Sequence, residues 1–323
     1  MRRVSSTTMS IYRILSFDGG GIRGLVTLAL LKRLQAQVPG LIQNASLLAG
    51  TSTGGIIALG LAAGKSVDDM IDLYRENGEE IFDDSWFDNI RDLGGLAGAD
   101  YDQKNLGKIL RKLLPGTRLE HLQKRVLIPT FDLDNEDTDP AKRTWKPKFF
   151  HNFPGPDSDG AESVVDVALR TSAAPTYFPT YDGFIDGGVV ANNPSMAAVA
   201  QTQDPRTTAP QPAFADVRVL SLGTGTNLSF IKGREHDWGL AQWAKPLIGL
   251  LMDASMGIAD YQCRQILRDA YRRVAPVFPH QTNIKLDEWK RADELLNFGN
   301  VAPLNDSGGA HDDVVAWLRA VGW

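Results

Sequence analysis

Residues 50–54, Gly-Thr-Ser-Thr-Gly, carry the pattern in which a serine acts as a nucleophile, with Ser52 at its centre. The apolar run at 45–49 predicts a buried strand before it, and the apolar run at 55–63 predicts a packed helix after it. A turn between such elements is too sharp for side chains beside the serine, which explains the glycine at each end. Free N–H groups at the start of the helix favour a developing oxyanion. The pattern alone also fits an ordinary Gly/Ser turn, so two further stretches must decide.

A second glycine-rich stretch, Gly19-x-Gly21-x-x-Gly24, follows a predicted strand at 11–17 and opens an apolar-periodic helix. This is also the dinucleotide-binding fingerprint, which requires an acidic residue about 20 positions later to hold the ribose. The neighbourhood 43–53 contains no acidic residue. The stretch also lacks the Gly-Lys-Ser/Thr ending of a phosphate-binding P-loop. We therefore disfavour both nucleotide interpretations.

The alternative interpretation of this glycine loop is an oxyanion hole. Three consecutive glycines at 19–21 let the backbone turn its N–H groups toward one point without obstruction by side chains. A strand, a crossover helix and a second strand form the parallel unit of an α/β sheet, and adjacent strand ends would bring the loop close to Ser52. Donors of this kind stabilise a transition state by about 3–4 kcal/mol each.

A serine nucleophile also requires a proton acceptor. Asp186 ends a short predicted strand at 181–185 and is followed by Gly187 and Gly188, which permit a tight turn. A carboxylate in that place would point along the sheet edge toward Ser52. No histidine has a neighbourhood that singles it out as the base. We expect a structural or solvent-facing role for all five: His121, His151, His236, His280 and His311.

Taken together, these stretches resemble the motifs of patatin-like phospholipases. The three main motifs occur in the family's order, as Asp-Gly-Gly-Gly-Ile-Arg-Gly at 18–24, Gly-Thr-Ser-Thr-Gly at 50–54 and Asp-Gly-Gly at 186–188. Two accessory segments match as well, Thr-Ser-Ala-Ala-Pro at 171–175 and Ser-Leu-Gly-Thr-Gly at 221–225. The resemblance implies a three-layer α/β/α sandwich with a mainly parallel central sheet, similar to that of cytosolic phospholipase A2.

The resemblance also implies roles for individual residues. Ser52 would be the nucleophile and Asp186 the general base, with no histidine, no metal and no cofactor. The oxyanion hole would be formed by backbone N–H groups among Gly19, Gly20, Gly21 and Thr53. The supporting motif residues would be Asp18, Arg23, Gly24, Gly50, Gly54, Gly187 and Gly188.

The expected behaviour of Arg23 and of Asp186 depends on their surroundings. Arg23 would either contact a lipid phosphate or form an ion pair with Asp18 or another acid at the edge of the core, because buried arginines are usually paired. Asp186 would be a weak base at an ordinary carboxylate pKa. The chemistry would then depend on geometry and on oxyanion stabilisation.

The composition limits the class of protein. The chain has 323 residues, 43% of them hydrophobic, which is typical of a globular protein with a sizeable core. A net charge of -5 without a basic block argues against nucleic acid as a partner and leaves only transient contact with a membrane surface. The single cysteine, Cys263, excludes an internal disulfide framework and favours a cytoplasmic location. We interpret it as a packing residue.

We expect three parts along the chain. Residues 1–10 would be a disordered extension, 11–199 the patatin-like catalytic core, and 200–323 the C-terminal part of the same α/β domain. Asn193 is expected to cap a helix whose first residue is Pro194. Further helices are predicted at 67–82, 103–113, 164–172 and 195–201, and further strands at 125–131 and 217–222.

The segment 238–268 is predicted to be largely helical. Its apolar surface comprises Trp238, Leu240, Trp243, Leu247, Ile248 and Leu251, which we interpret as core-facing, with a wall or lid for an acyl chain as the alternative. A second lid candidate is the group Trp86, Phe87 and Ile90. The acidic stretch 132–139 lacks the glycine of a calcium loop and predicts a solvated loop.

Three functional hypotheses follow. The first is a lipid acyl hydrolase, a phospholipase A or esterase, that cleaves carboxylic esters through an acyl-serine intermediate. The second is a non-catalytic storage or interaction protein of the same fold, against which the intact motifs argue. The third is a lipase effector that a nucleotide switches on, as the resemblance to bacterial members allows.

Overall fold

A computed structural model of the protein describes residues 11–82, 103–280, 282–308 and 313–323. Its central sheet has seven strands among these residues. They are β1 (Tyr12–Phe17), β2 (Leu47–Gly50), β3 (Arg125–Asp132), β4 (Lys146–His151), β5 (Phe184–Asp186), β6 (Val217–Leu222) and β7 (Tyr271–Val274).

Ten α-helices accompany these strands in the described part of the chain. They are α1 (Gly24–Gln37), α2 (Thr53–Ala62), α3 (Val67–Phe82), α4 (Gln103–Leu113), α5 (Val164–Thr171), α6 (Gly188–Ala191), α7 (Ser195–Thr202), α8 (Leu240–Leu267), α9 (Ala292–Val301) and α10 (Val314–Ala320).

The sheet is mainly parallel and has the strand order β4-β3-β2-β1-β6-β7. β1 lies between β2 and β6, with Phe17 opposite Gly50 on one side and Leu222 on the other. The chain therefore leaves β1, β2 and β6 at the same level, and the three loops that follow meet at one edge of the sheet. This is the place where open α/β sheets carry their ligand sites.

The short strand β5 explains how a distant residue reaches this edge. β4 pairs antiparallel with one edge of β3 over residues 127–132. β2 pairs with the other edge only as far as Leu127, and β5 pairs antiparallel with β3 over residues 130–132. Since β4 fills one edge, β5 must continue along the edge that β2 leaves. This arrangement brings Asp186, opposite Thr130, next to the turn after β2.

Helices cover both faces of the sheet, so the molecule has the predicted three layers. The larger hydrophobic core joins one face of the sheet to α1, α2, α3, α4, α5, α9 and α10. The smaller core joins the other face to α7 and the second half of α8. Cys263 of α8 is fully buried in this smaller core, as the packing interpretation requires. Burial raises the pKa of its thiol to about 12.

Most predicted elements are confirmed, and two strands were not predicted. The helices at 67–82 and 103–113 and the strand at 217–222 have the predicted bounds. The strands β4 and β7 were missed, because β4 begins with alternating lysines and β7 has arginines at two of its four positions. The cap of α7 is shifted by one residue. Pro194 occupies the cap position, and Asn193 Oδ1 instead accepts bonds from the N–H and hydroxyl groups of Ser195.

The core-facing interpretation of the apolar surface of α8 was wrong. Leu240 is 87% exposed, and Trp243, Leu247 and Leu251 are also exposed, while Trp238 and Ile248 are partly exposed. The buried residues of α8 lie in its second half, which packs on the sheet, whereas the described residues provide no comparable cover for the first half. The second lid candidate, Trp86 with Phe87 and Ile90, lies outside the described residues.

Candidate active site

Ser52 occupies a sharp turn between β2 and α2. Its backbone has φ 54° and ψ -123°, a conformation that costs energy in residues with a side chain. A side chain at Gly50 would put a Cβ atom 2.0 Å from the Gly54 carbonyl oxygen, and one at Gly54 would approach the Phe17 carbonyl oxygen to 2.2 Å. Both motif glycines are therefore required by close backbone packing at the turn.

Hydrogen bonds from three different segments hold this turn. The Ser52 N–H donates to Thr171 Oγ1 at 3.0 Å. The Thr51 hydroxyl donates to the Ala191 carbonyl at 2.6 Å, and the Thr51 N–H donates to the Phe17 carbonyl at 3.2 Å. The nucleophile turn is thus tied to β1, to the end of α5 and to the end of α6.

Asp186 is buried beside this turn at the end of β5. Its N–H donates to the Ala173 carbonyl at 2.9 Å, and its Oδ1 accepts the Gly188 N–H at 2.6 Å. Its Oδ2 is buried and has no hydrogen-bond partner among the described residues. The Ser52 hydroxyl is near enough to lower the pKa of this carboxyl, although no hydrogen bond of ordinary geometry joins them. The Asp186 carboxyl is thus a neighbour of the Ser52 hydroxyl, and its Oδ2 is a free acceptor among the described residues.

The carboxyl of Asp186 does not have the ordinary pKa expected from the sequence. Burial raises its pKa to about 6, and the Ser52 hydroxyl and the Gly188 N–H lower it only in part. The expectation of a weak base was therefore wrong. The sequence marks Asp186 as a candidate base, but its burial depends on the whole fold, which leaves only 2% of the residue exposed.

The glycine loop after β1 lies against the same turn. The Gly19 N–H donates to the Asn192 carbonyl at 3.0 Å and is therefore engaged. The N–H groups of Gly20 and Gly21 make no hydrogen bond within the described ranges. Gly21 has φ 56°, and a Cβ atom there would lie 2.2 Å from the Leu286 carbonyl oxygen. A Cβ atom on Gly20 would lie 2.3 Å from Thr224 Oγ1.

The remaining motif glycines are required by packing in the same way. A Cβ atom at Gly24 would lie 2.4 Å from Thr53 Oγ1, and one at Gly187 would lie 2.2 Å from the Pro129 carbonyl oxygen. A Cβ atom at Gly188 would lie 3.0 Å from the methyl carbon of Met252. Gly24 and Gly187 therefore fit where a side chain would not, whereas at Gly188 the flexible end of Met252 would have to shift.

Asp18 is paired with a residue that the sequence did not single out. Its buried carboxylate receives two hydrogen bonds from Arg273 of β7, one of them Nη1 to Oδ1 at 3.0 Å. Arg273 Nη1 also donates to Ser221 Oγ at 2.7 Å. A pairing of Arg23 with Asp18 is therefore excluded. Little in the sequence marks Arg273, which is one of two arginines in the four-residue strand β7.

Arg23 lies half-buried in the wall of a second cleft, which includes Gly19 of the glycine loop, has a mixed polar and apolar lining and holds about 820 Å³ of space counted out into solvent. In the part of the chain that the structure describes, its guanidinium has no ion pair within 4 Å, and its Nε is buried without a partner. Burial lowers the pKa of Arg23, and the more distant Asp253 and Tyr177 oppose that effect. Its charge is thus available on a cleft that shares Tyr177, Met252 and Leu286 with the serine pocket.

A cavity with about 550 Å³ of space, counted out into open solvent, lies directly at Ser52 and Asp186. Its walls are mostly apolar and come from α2, α3, α4, α8 and the segment after α5. They include Ile56, Tyr74, Ile81, Phe82, Leu106, Ala174, Tyr177, Phe178, Met252 and Leu286. A chain of methylene groups suits such walls, because burying each one stabilises a complex by about 0.8 kcal/mol.

No histidine among the four in the described residues lines this cavity. His151 is buried elsewhere, with its Nε2 3.4 Å from Asp157 Oδ2. No group of three metal-ligating side chains is found in the described ranges. Within the same ranges, no helix is long and apolar enough to cross a membrane.

Fold and site together define a three-layer α/β protein with a strained serine, a buried carboxylate and unused backbone donors around one apolar cavity. The chain belongs to the patatin-like phospholipase family, since the family model described as Patatin-like phospholipase matches residues 15–199. Membership of this family supports a lipid hydrolase function.

Two curated relatives illustrate the range of similar proteins. The putative sporulation hydrolase CotR of Bacillus subtilis is 35% identical over 324 residues, covering 92% of this chain and 97% of that protein. A cGAMP-activated phospholipase of Vibrio cholerae is 38% identical over 239 residues, covering 66% of this chain and 64% of that protein. A solved structure of human GIVD cytosolic phospholipase A2 in complex with methyl gamma-linolenyl fluorophosphonate aligns with 99% of this chain and 60% of that one, at 13% identity and a TM-score of 0.38.

Proposed function

We propose that the protein is a lipid acyl hydrolase that cleaves carboxylic ester bonds with a Ser52–Asp186 dyad. The observation that carries this proposal is the pairing of a strained serine with the unpartnered Oδ2 atom of a buried carboxylate. Strain and buried unsatisfied atoms are costly, and they concentrate at sites where function requires them.

In the proposed first step, Asp186 Oδ2 takes the proton of the Ser52 hydroxyl while Ser52 Oγ attacks the ester carbonyl. The negative charge that develops on the carbonyl oxygen is met by the N–H groups of Gly20 and Gly21, with the Thr53 N–H at the start of α2 as a further donor. Gly19 is left out of this role because its N–H is engaged. Collapse of the intermediate leaves an acyl-Ser52 ester, and the proton on Asp186 goes to the departing alcohol.

In the second step, Asp186 takes a proton from water, which attacks the acyl-Ser52 carbonyl. Expulsion of Ser52 Oγ then releases a fatty acid, and the serine recovers its proton from Asp186. A base is most effective when its pKa lies near the working pH. A pKa of about 6 therefore makes Asp186 a much better base than a solvent-exposed aspartate.

The surroundings of the dyad suggest how a phospholipid would bind. The acyl chain would enter the apolar cavity between α2, α3 and α8. The second cleft, with Arg23, would take the part of the substrate that carries the phosphate. The guanidinium would then gain the partner that it lacks within the described residues.

We further propose that the protein meets a membrane surface only transiently, through the first half of α8 and the loop before it. This α8 surface comprises Leu228, Phe230, Leu240, Trp243, Leu247 and Leu251, all of them exposed. Met252, on the same helix, lines the cavity at Ser52. Helix α8 would therefore join the membrane-facing surface to the pocket that holds the proposed nucleophile. The mixed charges nearby, such as Lys232 and Glu235, fit weak binding.

We also propose that the chain forms one domain and is cytoplasmic. We treat residues 11–199 and 200–323 as one domain, because β6 pairs with β1 over six residues and Arg273 supplies the partner of Asp18. Cytoplasmic location is supported by the single, buried and unpaired Cys263. The similarity to a phospholipase named as cGAMP-activated favours nucleotide regulation as a second candidate property.

The test is hydrolysis of a p-nitrophenyl ester and of phospholipid vesicles by the wild type and by Ser52→Ala. Wild-type protein should release p-nitrophenol and fatty acid, and folded Ser52→Ala should lose at least about 10⁴-fold in kcat. A parallel assay with cyclic dinucleotides would measure regulation. Folded Ser52→Ala with wild-type activity would refute the proposed nucleophile. An inert wild type, with and without nucleotides, would favour a storage or interaction role.

A further inference from the structure

Thr171, the last residue of α5, contacts the backbone of the nucleophile turn. Its Oγ1 accepts a hydrogen bond from the Ser52 N–H at 3.0 Å, and the Thr171 hydroxyl donates to the Pro129 carbonyl at 2.6 Å. The side chain is fully buried. Both hydrogen-bonding capacities of one hydroxyl are thus used to join α5 to two other segments.

The two segments that Thr171 joins are those that carry the dyad candidates. Ser52 is one of them. Pro129 belongs to β3, immediately before Thr130, which pairs with Asp186. The Pro129 carbonyl is also the atom against which Gly187 packs, because a Cβ atom on Gly187 would lie 2.2 Å from it. The Thr171 hydroxyl therefore connects the backbone of the nucleophile to the strand that positions the base.

The position of Ser52, just before α2, explains why its N–H needs an acceptor outside the helix. Ser52 precedes the first residue of α2, so no helical carbonyl is available to its N–H group. The turn is buried, which also excludes ordinary solvation of that group. Thr171 Oγ1 is the acceptor that makes this backbone position tenable. Two residues later, the Ala173 carbonyl accepts the Asp186 N–H at 2.9 Å.

We infer that Thr171 is a positioning residue for the proposed hydrolysis, whose hydroxyl fixes the distance and orientation between Ser52 Oγ and the carboxylate of Asp186. This inference rests on the proposed dyad. A simple packing role is the competing explanation, because the Thr171 methyl group packs closely on Gly55. A Cβ atom added to Gly55 would lie 2.8 Å from that methyl group. Valine would keep the methyl group and lose both hydrogen bonds, whereas serine would do the reverse.

The experiment compares Thr171→Val with Thr171→Ser on a soluble p-nitrophenyl ester. Misplacement of a reacting group by about 1 Å costs about 100-fold in rate, so Thr171→Val should lose about that factor in kcat with KM changed less than threefold. Thr171→Ser should recover at least tenfold of that loss. The matched control is Thr202→Val on α7. Thr202 is also buried, and its hydroxyl likewise donates one bond and accepts another. Its kcat should stay within twofold of wild type.

A second measurement needs no catalysis, and it decides the case if Thr171→Val does not fold. Hydrogen exchange of the Ser52 amide in the wild type and in Thr171→Ser should be at least tenfold slower than in an unstructured peptide, and it should accelerate in Thr171→Val where that variant folds. Rapid exchange in the wild type would overturn the inference, as would equal kcat losses in the valine and serine variants. Failure of the proposed function is recognised separately, since Ser52→Ala would then retain activity or the wild type would have none.

Discussion

The loops that follow β1 and β2 leave the sheet at the same level but serve different purposes. In the turn after β2, the Ser52 N–H donates to Thr171, and the strained backbone presents the Ser52 side chain to the cavity. In the glycine loop after β1, no side chain is presented, and the N–H groups of Gly20 and Gly21 stay unused within the described ranges. In the proposed mechanism, one loop therefore supplies the nucleophile and the other supplies backbone donors.

Glycine therefore has two distinct uses at the site. Around Ser52, glycines let two backbone segments approach closely enough to make a sharp turn, as the 2.0 Å approach of a Cβ on Gly50 to the Gly54 carbonyl shows. In the loop after β1, Gly21 adopts φ 56°, and its N–H makes no hydrogen bond in the described part of the chain. The first use sets position, and the second leaves hydrogen-bonding capacity free.

The largest expected effect comes from removing the base that serves the turn after β2. Asp186→Asn should lower kcat by about 10³-fold or more, because a positioned general base contributes about 10²–10⁴-fold. In the wild type, log kcat/KM should rise with pH and level off near 6, where Asp186 loses its proton. That limb should be absent from the residual activity of the variant.

The pH limb alone would not distinguish Asp186 from a histidine, whose pKa is about 6.5. The matched controls are therefore single Gln variants of His121, His151, His236, His280 and His311. Each should keep kcat within about tenfold of wild type. A loss of a thousandfold in one folded histidine variant would replace the dyad by a triad.

The second-largest effect should come from the donor loop. In Gly21→Ala, the added Cβ would collide with the Leu286 carbonyl and shift the loop, which would move the Gly21 N–H out of place. The variant should therefore lose about 10²–10³-fold in kcat, the cost of losing one oxyanion donor. Gly116→Ala is the control for backbone strain. Gly116 has φ 62° but no atom within 4 Å of the added Cβ. Equal losses of activity in the two variants would show that the loop matters only for folding.

A smaller effect is expected at the α8 surface. Leu240→Glu combined with Leu247→Glu should reduce hydrolysis of phosphatidylcholine vesicles about tenfold, because two exposed apolar contacts are lost. Hydrolysis of a soluble short-chain ester should be unchanged. Val301→Glu on α9 is the control, since Val301 is 78% exposed and far along the chain from this surface. Loss on the soluble ester as well would indicate damage to the cavity instead of lost lipid contact.

Removing the buried charge should also change stability, and the sign of that change follows from the pKa of Asp186. The folded pKa of about 6 lies above the unfolded value of about 3.9, so the folded state binds more protons between these values. Stability should therefore fall as pH rises from about 4 to 6, and the loss should persist above 6. Asp186→Asn should be more stable than wild type at pH 7.5, by up to about 3 kcal/mol. A lower melting temperature for the variant at pH 7.5 would contradict the burial argument.

The sequence was sufficient for the dyad candidates because their signals are local. Ser52 is marked by a strand, a tight turn and a helix, and Asp186 by a strand end followed by two glycines. Burial is a property of the whole fold. For that reason the raised pKa of Asp186, the exposure of α8 and the pairing of Asp18 with Arg273 were not predicted. Arg273 is separated from Asp18 by 255 residues, and no periodicity in the chain links the two.

The central claim is that an ester substrate acylates Ser52 with Asp186 as the only base. The direct measurement is acid quenching of the wild type within one turnover of a long-chain p-nitrophenyl ester, followed by peptide mass spectrometry. We expect one acyl group on the peptide that contains Ser52 and none in Ser52→Ala. In Asp186→Asn, the acyl-enzyme should form at least about 10³-fold more slowly. An acyl group on another residue, or undiminished acylation in Asp186→Asn, would contradict the claim.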